Sequence, residues 1–172
     1  MGAVKATSII SHWNHMTGGI TQSSNEFYGE VERGLAVHNL KDAKLERVNM
    51  SEGGIFSSKR EYLQVRRGDL VFHVCAAPFG NGFFISWWLG EIESGLLAAL
   101  AEIPYLGGIV GLFRNVTKPR TYYKVDTALM FQAVTHDAVL GALDAVINAK
   151  GVRALSETER KPVMRDLFRR LA

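Results

Sequence analysis

Lys59-Arg60-Glu61-Tyr62-Leu63-Gln64-Val65-Arg66-Arg67-Gly68-Asp69-Leu70-Val71-Phe72-His73-Val74-Cys75-Ala76 reads as two strands joined at a glycine. In the second run Leu70, Phe72 and Val74 fall on one face, which is expected to be core. Val71, His73 and Cys75 fall on the other, because side chains alternate along a strand. Arg67-Gly68 suits a two-residue hairpin turn, which would set Tyr62 against His73 and Leu63 against Phe72. Working outward, Pro78-Phe79-Gly80-Asn81-Gly82 makes a second turn. Residues 83–89 make a further strand with Phe83, Ile85 and Trp87 on one side. Upstream, residues 44–50 make a strand that stops at Ser51-Glu52-Gly53-Gly54. The pattern predicts an antiparallel four-stranded meander.

Helical periodicity flanks the meander. Ser23 and Glu26 have capping-box spacing, and Phe27, Val31 and Leu35 follow on one face. This predicts a helix over 24–40. Gly29 and Gly34 weaken it by about 1 kcal/mol each relative to alanine, so another backbone is expected to approach there. Residues 121–125 read as a short strand, and Asp126 as the cap of a long helix to 149. Its apolar stripe is Leu129, Ala133, His136, Leu140, Leu143 and Ile147, with Val134, Ala138, Ala142 and Ala145 on another side. Asp137, Gly141, Asp144 and Asn148 form the polar strip, so this helix is expected to be buried on most sides. Gly151 ends it. Ser156, with Glu159 at capping-box spacing, opens a last helix with Val163, Met164, Leu167, Phe168 and Leu171 on its apolar face and Arg165, Arg169 and Arg170 on its basic face. Residues 1–22 show no sustained period and read as a flexible arm. The expected architecture is a single α+β domain over 23–172, with the meander packed on the long buried helix and further helices at both ends.

Composition narrows the function classes. Of 172 residues, 47% are hydrophobic and 22% charged, which suits a globular chain with a sizeable core and excludes a disordered one. A single cysteine excludes an internal disulfide framework and multi-cysteine metal sites within one chain. No apolar leader is visible at the N-terminus, so the cytoplasm is the expected compartment. The net charge of +3 is concentrated late in the chain. Lys150, Arg153, Arg160, Lys161, Arg165, Arg169 and Arg170 outnumber Glu157, Glu159 and Asp166, and Arg114, Lys118, Arg120 and Lys124 add to them. Such an asymmetry attracts an anionic membrane, an acidic partner or nucleic acid. The alternation of Arg60, Tyr62, Gln64 and Arg66 on one strand face keeps nucleic acid as a third reading.

Residues 95–113 are apolar and long enough to cross a membrane. Their Leu, Ile, Val and Phe residues contribute roughly −4 kcal/mol on the insertion scale, and Glu102 offsets about 3 kcal/mol of that. Pro104 and the glycines weaken the segment further. It reads as a buried helix broken at Pro104 or as an interfacial segment. Glu91 and Glu93 precede it, while Arg114, Lys118 and Arg120 follow it, which would set the later flank on the cytoplasmic side.

Cys75 is the candidate nucleophile, with His73 or His136 as its base. His12 and His15 are three apart, too few for a closed metal site, and no metal or cofactor is expected. The order of a helix, four strands and later helices resembles the outline of a ubiquitin-conjugating enzyme. The His-Pro-Asn motif such enzymes carry has no counterpart here, and Cys75 falls inside a strand, so no function is carried over. The leading expectation is a non-catalytic binding or adaptor module, peripheral to the inner face of a membrane or docked on a protein partner. Its contacts would be residues 95–113 and the cations Arg114, Lys118, Arg120, Arg165, Arg169 and Arg170. The alternative is a small thiol-dependent enzyme using Cys75.

Overall fold

A computed structural model describes residues 3–51, 59–92 and 121–165. The fold is α+β. Strands β1 (Ser8–Gly18), β2 (Lys44–Ser51), β3 (Lys59–Arg67), β4 (Leu70–Phe79), β5 (Gly82–Glu91) and β6 (Val163–Met164) form one antiparallel sheet in the order β2-β3-β4-β5-β1-β6. Helices α1 (Ser24–Val37) and α2 (Tyr122–Lys150) cover one face, and a single turn, α3 (Glu157–Arg160), precedes β6.

The meander and its faces agree with the periodicity. Leu70, Phe72, Val74, Phe83, Ile85 and Trp87 all join the helix-side core. Phe72 packs on Trp87 at 4.7 Å between ring centroids and meets Phe131 of α2 edge-on at 5.6 Å. The turn of the first hairpin sits one residue later than expected, which moves each β3 residue's partner by two. Arg67 pairs with Leu70 and Leu63 with Val74, so the turn is Gly68-Asp69. Gly68 takes φ +60, a conformation that glycine adopts without strain.

α1 has the anticipated capping box, with the Glu26 amide donating to Ser23 Oγ and the Ser23 amide to the Glu26 carboxylate. It lies against α2 at Gly34, where an added Cβ would sit 3.2 Å from Ala138 Cβ. Gly29 faces open space. Tyr28 joins α1 to the sheet. The regular β3–β4 pairing runs as far as Leu63 and Val74, and there the Tyr28 hydroxyl enters between the strands. It accepts from the Ala76 amide at 3.0 Å and donates to the Glu61 carbonyl at 2.8 Å. A side chain thus replaces the next rung of the ladder.

Four expectations are corrected. Residues 8–18, inside the expected arm, form strand β1 beside β5. A bulge between Ile9 and Ser11 breaks the period of two, and inward Ser11, His15 and Thr17 disguise the buried face. Among the described residues the sheet therefore has six strands, and the first element is a strand. Residues 122–125, expected as part of a strand, are the first turn of α2, capped by Thr121 and not by Asp126. The expected C-terminal helix stops at Arg160, because Pro162 has no N–H and holds Lys161 in extended backbone. Val163 and Met164 then pair with His12 and Ser11 of β1.

α2 is buried along Ala128, Phe131, Thr135, Val139, Leu143 and Val146. Leu129 and Ala133, expected inside, face out instead. α2 is long and apolar enough to cross a membrane, but more than half of its most apolar stretch is buried within this fold. Residues 95–113, 114–120 and 166–172 lie outside the described residues.

Candidate functional site

Three places bring chemistry-bearing side chains together. The first is the sheet face away from the helices. Strand register sets Glu46, Gln64, His73, Trp88 and His12 in one row across five strands. His12 stacks on Trp88 at 4.7 Å. The Gln64 Oε1 atom accepts from His73 Nε2 at 3.1 Å and from the Val4 amide at 2.8 Å. Burial drives the His73 pKa down to about 4, so the ring is neutral at pH 7.

Cys75 lies on that same face and is 1% exposed. Burial pushes its thiol pKa up, against the pull of the Arg60 guanidinium and hydrogen bonds with Arg60 and Tyr62. The structure therefore sets His73 and Cys75 on one face of β4, with the His73 ring engaged by Gln64. It does not bring His136 to Cys75. His136 bonds Trp87, which shares the opposite, helix-side face with Val74. His12 and His15 also diverge. Residues three apart on a strand point to opposite faces, so His12 meets Trp88 while His15 stacks beside Trp13 at 6.1 Å.

The second place is the helix side under residues 152–165, which run as a strap over β1 and α2. The Trp87 indole donates to His136 Nδ1 at 3.0 Å, and His136 Nε2 donates to the Arg160 carbonyl at 2.7 Å. The Trp13 indole donates to the Glu159 carbonyl at 2.6 Å, and the Arg165 amide to the Ile10 carbonyl at 3.0 Å. Arg160 grips Asp144 through two bonds of 2.6 and 3.0 Å. Asp144 thus leaves the solvent strip for a forked ion pair.

The third place is the end of the sheet at the Gly68-Asp69 turn. The Ile92 amide donates to the Asp69 carbonyl at 2.8 Å, and Lys124 Nζ of α2 lies 4.0 Å from the Asp69 carboxylate. The described chain stops at Ile92, bonded to Asp69, and resumes at Thr121, the cap of the helix whose first turn carries Lys124. Arg66 and Arg67 end β3 there, and Lys44 pairs with Arg66. Tyr122 and Tyr123 are each 80% exposed at the start of α2, and Leu129 and Met130 continue its outward side.

Of the cations expected to bind, Arg165 is exposed and follows β6. Arg114, Lys118, Arg120, Arg169 and Arg170 lie outside the described residues. Sequence reasoning missed Asp69, Tyr122 and Tyr123. The available signal was the tyrosine pair immediately after the Arg114, Lys118 and Arg120 flank. No family model, curated protein or solved structure matches the chain significantly.

Proposed function

We propose that the protein is a non-catalytic binding module that docks on an anionic membrane surface from the cytoplasmic side. The observation that carries this reading is the Lys124–Asp69 pair, which ties the first turn of α2 to the turn that holds Ile92. Arg66, Arg67 and Lys44 lie at that end of β2 and β3, and Tyr122 and Tyr123 are exposed in the same first turn of α2. Tyrosine rings and Lys/Arg side chains suit the membrane–water boundary, where an apolar body and a polar tip are both accommodated. In sequence, residues 95–113 supply the apolar contact, and Arg114, Lys118 and Arg120 supply cations next to it. An apolar element plus a cationic one provides the two signals that stable peripheral attachment needs. Arg165, with Arg169 and Arg170 beyond it, extends the cationic contribution.

Replacing residues 95–113 with a short Gly/Ser linker is expected to leave a folded protein that no longer sediments with anionic vesicles. Unfolding of that variant would assign the segment to the core. A folded variant that still sediments would exclude the segment as the contact. Retention of a protein partner with no vesicle binding would overturn membrane docking and favour a protein adaptor instead.

A second reading, a thiol-dependent enzyme, draws on the hydrogen bonds of Arg60 and Tyr62 with Cys75. It requires Cys75 to react with an alkylating agent in the native protein at neutral pH. Labelling only after denaturant is added would remove it.

A further inference from the structure

We propose that His136 is a proton-operated latch for the C-terminal strap, residues 152–165: neutral, it holds the strap down, and protonated, it releases it. The geometry allows one ring form. An indole N–H can only donate, so His136 Nδ1 must offer a lone pair to Trp87 at 3.0 Å. A carbonyl can only accept, so Nε2 must carry the proton given to Arg160 at 2.7 Å. A second proton would land on Nδ1 and set two N–H groups against each other. The ring is 8% exposed, so water cannot take over the lost bond while the strap is closed.

The charged and titratable surroundings are few. From the strap, the Arg160 guanidinium opposes a positive ring, and Glu159 is engaged by Arg153. From α2, Asp137 favours the charged ring, while Asp144 is occupied by Arg160. From β1, His15 is the one titratable neighbour of Trp13 and is also influenced by Glu159. Trp13 and Trp87 meet the His136 ring edge-on at 5.5 and 5.4 Å. Burial is the largest influence and lowers the His136 pKa. A ring released into water regains an ordinary value near 6.5. Protonation and strap opening are therefore linked, and each unit between the closed and open pKa shifts the opening equilibrium by roughly tenfold. The Trp13 to Glu159 and Arg165 to Ile10 clasps end on backbone carbonyls and carry no ionisable group. Opening would release the Trp13 indole from the Glu159 carbonyl.

Backbone amide exchange on the full chain, corrected for intrinsic rates, tests this between pH about 7.5 and about 5. The strap amides of Arg160, Lys161 and Arg165 are expected to lose protection as the pH falls through the ordinary histidine range, while β4 and β5 keep theirs. His136→Gln keeps one donor and one acceptor but does not titrate, so its strap protection is expected to stay flat. His15→Gln is expected to behave like wild type. An unchanged pH profile in His136→Gln, a flat one in His15→Gln, or joint loss of strap and sheet protection would overturn the proposal. If His136→Gln does not fold, the imidazole resonances of wild-type His136 decide. A midpoint shared with strap opening supports the latch, and separate midpoints overturn it.

Discussion

Tyr28 holds β3 and β4 together where their own hydrogen bonds stop. Removing its hydroxyl leaves the Ala76 amide and the Glu61 carbonyl without that partner. Tyr28→Phe should therefore lose roughly 1–3 kcal/mol of stability, read from the urea midpoint, because a buried polar group left unpaired keeps its desolvation penalty. His73 sets a pH limit. Its folded pKa of about 4 lies below the ordinary histidine value, so its contribution is complete above pH about 6.5. The contribution is lost as pH falls towards 4, amounting to at most about 3 kcal/mol. Urea midpoints measured from pH 7 to 4.5 should fall more steeply in wild type than in His73→Gln. Equal slopes would show that another group governs acid sensitivity. The glycines of α1 separate cleanly. Gly29→Ala meets nothing within 4 Å and should gain about 1 kcal/mol from helix propensity. Gly34→Leu must displace Ala138 and should destabilise by roughly 1–3 kcal/mol or more. Of these residues, the alternation of Leu70, Phe72 and Val74 told which face of β4 is buried. It could not tell that Tyr28 reaches the gap beyond Val74, since that contact joins elements far apart in sequence.

The elements divide by how much of their identity is local. β3, β4, β5 and α1 were legible, because each combines one clear period with a glycine turn or a capping box. β1 was not, for two physical reasons. Its bulge resets the alternation after Ile9, and its inward side carries Ser11, His15 and Thr17, whose hydroxyls and ring nitrogen resemble a loop in composition. The register of the β3–β4 hairpin differs by two residues from the expected one because both Arg67-Gly68 and Gly68-Asp69 are acceptable turns. Only the pairing of Arg67 with Leu70 decides between them. Around α2 the apolar residues are so numerous that periodicity alone misassigned Leu129 and Ala133 to the core. At the strap, Pro162 outweighed a capping box and an apolar repeat, which is the expected order of strength for a residue that removes a donor. Arg160 and Asp144 now fasten that element to α2. Their side chains are about a third exposed, so Asp144→Asn should cost no more than about 1 kcal/mol globally. It should nevertheless raise strap exchange at every pH, which amide exchange would show.

At the scale of the whole molecule, the sheet separates two environments. The helix face holds the main aromatic core and the strap. The other face holds the row from Glu46 to His12 and the buried Cys75. Candidate catalytic groups are thereby divided, with His136 on one side and Cys75 on the other. The turn at Asp69 holds Ile92 through a backbone bond and Lys124 of α2 through an ion pair. The composition of residues 95–113 was legible in the sequence, but the Lys124–Asp69 pair was not, because it joins elements far apart in sequence. The measurement that bears most directly on this account is co-sedimentation of the intact chain with anionic and neutral vesicles at low and high salt. Sedimentation is expected to require anionic lipid, to weaken with salt as surface charges are screened, and to persist in part through the apolar contact. No sedimentation with either lipid at any salt concentration would contradict it.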